Sequence, residues 1–201
     1  ACLVGSEMCI RDRRNIAKTL RQLEEISGSS KIEIAHEMED LLAGSVELYE
    51  DAARKQALLA GYAKKCEHNI SGDTIVVRLD QLAANLEGKA DWMMKNIRAN
   101  EWVKDGEDGW FNGYYDNHGR KVEGVMDESV RMMLTGQVFA IMSGTATEDQ
   151  VESICRSADK YLYDQKAGGY RLNTNFHEEK FDLGRMFGFA YGEKENGAVF
   201  S

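Results

Sequence analysis

A chain of 201 residues with 43% apolar and 9% aromatic side chains has the material for a hydrophobic core and is not a disordered chain. Its net charge of −9 and pI near 5.0 exclude nucleic acid and anionic membrane surfaces as partners, because both require clustered Lys and Arg. No apolar run approaches the roughly 18 residues of a membrane-spanning helix.

The four cysteines, at positions 2, 9, 66 and 155, have neither zinc-ligand nor CxxC spacing. That pattern fits reduced thiols in a cytoplasmic protein and gives no metal site. Proline is absent altogether, where average usage gives roughly ten, and a helix-rich chain tolerates its absence.

At the start of the chain, Gly5-Ser6-Glu7-Met8-Cys9-Ile10-Arg11-Asp12-Arg13 resembles the translation of a transposon-end adapter used in sequencing libraries. Residues 1–13 are therefore expected to be a scar without fixed structure, and residues 14–201 to be the protein proper. With no Met at position 1 and an abrupt end at Phe200-Ser201, the chain is expected to be an internal piece of a longer protein.

Ile16, Leu20, Leu23 and Ile26 form a helical stripe over Arg14–Ile26, closed by Ser27-Gly28-Ser29-Ser30. Ser30 followed by Glu33 has the spacing of a capping box, which predicts a helix from there to about Cys66 with a break near Gly44. His36 and His68 fall on that helix or at its end as solvated groups, since no second ligand type shares their face. Thr74–Leu79 reads as a short strand, and Asp80 as the N-cap of a helix reaching about Trp102. Trp92, Ile97 and Trp102 within that stretch have core spacing.

Asp105–Gly109 has the Asp and Gly content of a calcium loop but lacks its bidentate Glu, so it reads as a turn. Trp110–Tyr115 and Arg120–Glu123 then bracket Asp116-Asn117-His118-Gly119 as a hairpin, with His118 as a turn residue able to take positive φ. Asp127–Ser143 reads as an amphipathic, Met-rich helix stopped by Gly144. Thr147 and Gln150 make a second capping box for a helix to Tyr163, and Gly168–Asn173 reads as a short strand.

The last stretch, Gly184–Ser201, fits neither helical nor strand periodicity and reads as a structured loop. Four glycines, four aromatics and Lys194-Glu195-Asn196 suit a sugar-binding wall, with rings on pyranose faces and polar groups on hydroxyls. An ordinary glycine-rich connection is the plainer alternative.

Lys194-Glu195-Asn196-Gly197-Ala198-Val199-Phe200-Ser201 resembles the KENGG-I-F-C-H segment of the inverting disaccharide phosphorylases of glycoside hydrolase family 94, the cellobiose and chitobiose phosphorylase group. The similarity extends over Trp110–Gly124, Leu134–Gly144 and Tyr161–Asn175, and is weak in the first half of the chain. Ala198 and Ser201 replace a Gly and a Cys of the pattern, and the phosphate-binding His of the family would come next.

The resemblance implies a mainly α fold, an incomplete (α/α)6 barrel with short β-hairpin excursions. It implies inverting phosphorolysis of a β-linked gluco-oligosaccharide, in which an Asp protonates the glycosidic oxygen while phosphate attacks the anomeric carbon from the opposite face. Carried over by position, Lys194, Glu195 and Asn196 would bind substrate, with Asn196 and Gly197 shaping the loop that presents the phosphate-binding His. Asp91-Trp92 matches two residues of the family's DWND-type run, but Met93-Met94 follow, so the general acid is expected upstream. No cofactor is implied beyond inorganic phosphate as co-substrate. The partners are an oligosaccharide and phosphate, with a homodimer of the full-length enzyme left open.

Two rivals stand beside this reading. An inverting hydrolase on the same fold needs a second carboxylate, for which Glu178, Glu179 and Asp182 are candidates. A non-enzymatic helical scaffold needs none.

Overall fold

A computed structural model describes residues 3–43, 48, 50–126, 129–177 and 188–200. Six α-helices and nine short strands are described, and the chain divides into two compact units, Ile10–Trp92 and Met93–Ser201 with the first nine residues. The mainly helical expectation thus holds for the longest elements, while more β-structure is present than the hairpin excursions foresaw.

Helix α1 spans Leu3–Ser27, in place of the unstructured stretch expected over residues 1–13, and Ile10 is fully buried. Nothing between Leu3 and Ser27 breaks a helix, and Ile10, Ala17 and Leu20 recur at helical spacing. It ends at Gly28, whose φ of 66° lets its N–H bond back to the Glu24 carbonyl.

The helix expected from Ser30 begins instead as strand β1, Lys31–Ala35. The alternation Lys-Ile-Glu-Ile-Ala has period two, and it pairs antiparallel with β2, Thr74–Arg78, in register from Lys31 opposite Arg78 to Ala35 opposite Thr74. A 3₁₀ turn (His36–Met38), α2 (Glu39–Ala43) and α3 (Ala52–Cys66) follow β1. The Asp51 carboxylate caps α3 by accepting from Arg54 N–H at 3.0 Å.

Helix α4, Leu79–Asn100, begins one residue before the expected cap, so Asp80 lies in its first turn and pairs with Arg78. Ala17 and Leu20 of α1 pack on Leu79 and Ala83 of α4, with Ile32 and Leu86 at the edge. His36 and His68 are exposed, as expected.

In the second unit, β3 (Trp102–Asp105) and β4 (Asp108–Phe111) form a tight hairpin through Gly106 at φ 62°. Its Trp102 and Phe111 rings meet edge-to-face at 4.9 Å. The β4 strand thus pairs backwards, and the hairpin expected after it is short: a Tyr115–Lys121 bridge flanked by bonds from Asp116 N–H to the Arg120 carbonyl and from Val122 N–H to the Tyr114 carbonyl. At that turn Gly119, at φ 74°, takes the left-handed conformation expected of His118.

Strands β5 (Gly124–Val125) and β6 (Val130–Arg131) pair next, and α5 runs only over Leu134–Met142. The helix expected from Asp127 starts later because Met132 is claimed by another segment: its N–H donates to the Thr174 hydroxyl, and its carbonyl accepts from Thr174 N–H. Residues 127–128 lie outside the described residues.

Helix α6, Glu148–Tyr161, carries the expected capping box of Thr147 and Gln150. It lies on β4, with the Ser153 and Ser157 hydroxyls both donating to the Gly109 carbonyl. Strands β7 (Tyr163–Asp164), β8 (Gly169–Arg171) and β9 (Val199–Phe200) make an antiparallel sheet of three with β8 in the middle.

Candidate functional site

The site grows from β8. Asp164 closes the β7–β8 turn by accepting from Lys166 N–H at 2.9 Å and Ala167 N–H at 3.1 Å. The Ala167 amide, with the Arg171 guanidinium beside it, holds this carboxyl below its ordinary value. Arg171 donates two bonds to Asp164 and turns its Nη1 onto the Gly197 carbonyl at 2.7 Å. Its guanidinium carbon lies 5.4 Å from the Tyr191 ring centre.

The extended segment after β8 is pinned on both edges. Leu172 N–H donates to the Ala198 carbonyl at 2.9 Å, and the Leu172 carbonyl accepts from Leu134 N–H at 2.8 Å. Asn173, fully buried, forms a bridge with Met133.

Against this base, residues 188–198 fold into successive turns. Gly192 N–H donates to the Asn196 carbonyl at 2.6 Å, and Asn196 N–H donates back to the Glu193 carbonyl at 2.9 Å. Two positions in this stretch take positive φ besides Gly192: Lys194 at 45° and Gly197 at 72°. A Cβ on Gly197 would lie 2.3 Å from the Tyr191 ring, so the close approach requires glycine.

The structure sorts the three expected substrate residues into two kinds. Lys194 and Glu195 are exposed at the tip of the turn, and Lys194 Nζ stands 4.8 Å from the Phe189 ring centre. Asn196 points inward and is 8% exposed. Its Nδ2 donates to the Phe189 carbonyl at 2.8 Å, and its Oδ1 accepts from Asn173 Nδ2 at 3.1 Å. Asn196 thus shapes the turn, while its two predecessors present charge outward.

Asp91 sits in α4, paired with Arg14 at 3.1 Å, and the Trp92 ring faces Lys55 Nζ at 5.9 Å. Both therefore serve packing and surface pairing. Glu178, Glu179, Asp182 and Gly184 lie outside the described residues.

A second polar cluster escaped sequence reasoning. Glu123, 1% exposed, accepts from Gly113 N–H at 2.6 Å and Met133 N–H at 2.8 Å. Burial pushes its carboxyl up to about 8, against those two amide bonds, and the Glu101 carboxylate adds to the rise. Asn112 bridges the two acids: its Oδ1 accepts from Glu123 N–H at 3.1 Å, and its Nδ2 donates to Glu101 at 3.0 Å. Tyr115 donates to Glu101 at 2.7 Å and is pushed up to about 12 by burial and that carboxylate. Glu123 follows Arg120-Lys121-Val122, and nothing in that run marks it as buried. Every oxygen of Glu123 and Glu101 has a protein partner, so the cluster braces the fold.

Among the described residues, no group of three or more His, Cys, Asp or Glu side chains is placed to hold a metal ion. No described helix is long and apolar enough to cross a membrane.

Residues 77–201 match the model of the glycosyl hydrolase 94 superfamily, catalytic domain. The chain belongs to this family of carbohydrate-active enzymes. It is similar to the solabiose phosphorylase of Paenibacillus borealis, 30% identical over 125 residues that cover 62% of this chain and 16% of that protein. The N,N'-diacetylchitobiose phosphorylase of Vibrio proteolyticus is 30% identical over 98 residues, covering 48% of this chain and 12% of that enzyme. The cellobionic acid phosphorylase of Neurospora crassa is 31% identical over 142 residues, covering 70% of this chain and 16% of that enzyme. The aligned part of the chain thus spans less than a fifth of each relative's length.

Proposed function

We propose that this chain is part of an inverting phosphorylase that cleaves a β-linked gluco-oligosaccharide with inorganic phosphate and yields a sugar 1-phosphate. One observation carries the proposal from family to site: the family-like turn exposes Lys194 and Glu195 together while the neighbouring Asn196 bonds inward. An ammonium and a carboxylate at adjacent positions can donate to and accept from neighbouring sugar hydroxyls, and such bonds are charge-assisted. The phosphorylase names of three relatives support the reaction class.

In the proposed reaction a carboxylic acid gives its proton to the glycosidic oxygen, the C–O bond breaks, and a phosphate oxygen bonds to the anomeric carbon from the opposite face. Lys194 and Glu195 hold the leaving, acceptor-side sugar. Phosphate fills the place of the water that an inverting hydrolase activates, so a second carboxylate is not needed. The helices are assigned to an (α/α)6 barrel, the enzyme to the cytoplasm, and its assembly to a homodimer. Residues 1–13 are assigned to adapter sequence, which comparison with the source genome tests.

The test is incubation with phosphate and cellobiose or sophorose. A longer protein containing this chain is expected to release sugar 1-phosphate, and the 201-residue chain alone to release none. Free sugar released without incorporation of phosphate would favour the hydrolase instead. Sugar 1-phosphate made by the chain alone would place the acid and the phosphate site within it.

A further inference from the structure

We infer that Asn173 is the positioning residue of the sugar site, a buried clamp that fixes the turn on which Lys194 and Glu195 stand. The inference rests on the proposal that these two side chains bind sugar.

The clamp is defined by three bonds from one fully buried amide. Asn173 Oδ1 accepts from Gly197 N–H at 2.7 Å, and Nδ2 donates to the Thr174 carbonyl at 2.9 Å and to Asn196 Oδ1 at 3.1 Å. Its orientation is not arbitrary. Gly197 N–H can only donate and the Thr174 carbonyl can only accept, so the amide oxygen must face one and the nitrogen the other.

Asn173 is itself immobilised from behind. Its own backbone bridges Met133, and its neighbours Leu172 and Thr174 bond to Leu134, Ala198 and Met132. On the far side the backbone bonds within the turn, between Gly192, Glu193 and Asn196, and to Leu172 through Ala198. Gly197 is held by Asn173 at its N–H and by Arg171 at its carbonyl, and Asn196 by Asn173 and Phe189. Tyr191 O–H adds a bond at 3.3 Å to the Asn173 carbonyl, so both arms of the turn close on this one residue. Lys194 and Glu195 lie between those arms, with Lys194 held at a φ that a lysine left to itself rarely adopts. Removing the clamp frees the turn to relax into another conformation, which would move the two charged side chains apart from a common ligand.

The test compares the 201-residue chain with Asn173→Ala and Asn173→Asp. Asn173→Asp keeps the acceptor for Gly197 N–H but loses the donor to Asn196 and Thr174. Amide exchange at Gly197 and the NMR shifts of Lys194 and Glu195 on adding cellobiose are read together with thermal unfolding. In Asn173→Ala, Gly197 exchange is expected to rise at least tenfold and the cellobiose Kd to rise at least tenfold, with cooperative unfolding retained. Asn173→Asp is expected to fall between. If Asn173→Ala does not fold, Asn173→Asp decides by the same comparison.

Cellobiose affinity unchanged in the folded variants, with binding seen in the unsubstituted chain, would overturn the role of Asn173 and leave the sugar site standing. No shift at Lys194 or Glu195 in the unsubstituted chain would overturn the sugar reading itself, and this role with it.

Discussion

Gln137 serves Phe111 as a neighbouring strand would: its Oε1 accepts from Phe111 N–H at 2.8 Å, and its Nε2 donates to the Phe111 carbonyl at 2.8 Å. A side chain on α5 thereby completes the free edge of β4, and its Nε2 also reaches the Met133 carbonyl at 3.1 Å. The shape of Gln137→Met fits the space but leaves the buried Phe111 amide and carbonyl without partners. Each such group costs about 1–3 kcal/mol. The denaturation midpoint of Gln137→Met is therefore expected to fall clearly, with an unchanged denaturant slope.

Glu123 gives the fold a pH dependence of opposite sign to that of a surface carboxylate. Its folded-state value is pushed up to about 8, above the ordinary glutamate value, so the folded chain binds this proton more tightly than the unfolded chain does. The stabilising contribution is complete below the unfolded value and is lost as pH rises through about 8. Melting temperature is expected to decline from pH 5 to pH 9, and the decline to flatten in Glu123→Gln. That variant starts less stable, because its NH₂ must face one of the two backbone N–H groups the carboxyl accepts from.

Two glycines provide a contrast. Alanine at Gly109 would put its Cβ 2.3 Å from the Val103 carbonyl and 2.8 Å from the Trp102 ring. Backbone cannot swing aside, so Gly109→Ala is expected to cost about 1–3 kcal/mol or more and to open the β3–β4 hairpin. Alanine at Gly197 meets the Tyr191 side chain first and also carries the φ of 72°. Gly197→Ala is expected to lower global stability less than Gly109→Ala and to weaken sugar binding more, as measured by thermal melts beside a cellobiose titration.

In a longer, active protein containing this chain, Glu195→Gln or Lys194→Met is expected to lower kcat/KM for the sugar about tenfold or more. A charge-assisted bond of about 1.5–3 kcal/mol sets that scale. The KM for phosphate is expected to change less. Equal effects on both substrates would indicate a collapsed turn, and no effect on either would reduce the two residues to a surface pair.

The pair of capping signatures shows what was legible in the sequence and what was not. Thr147 and Gln150 lead a helix because Val151, Ile154 and Ala158 follow at helical spacing. Ser30 and Glu33 have the same interval, yet Ile32 and Ile34 between and after them alternate, and β2 lies ready to pair. The local motif is identical, and the period of the apolar residues decides. Met132 and Met133 defeat prediction differently: their extended backbone is fixed by Thr174 and Asn173, about forty residues away. At the proposed site, the family-like neighbours of Lys194 and Glu195 single them out in the sequence. Nothing singles out Asn173, because an asparagine earns no pattern score for bonds made across 24 residues.

The left-handed backbone of Lys194 has a consequence for sequence tolerance. Within residues 193–197, a lysine occupies a position that glycine would occupy with less strain, Asn196 is fixed by its inward bonds, and Gly197 by the Tyr191 ring. A library randomised over these five positions and selected only for a folded chain should therefore enrich glycine at 194, keep asparagine and glycine at 196 and 197, and scatter at 193. Selection for sugar binding should restore lysine at 194 and glutamate at 195, so the difference between the two outcomes would separate what this turn needs to exist from what it needs in order to work.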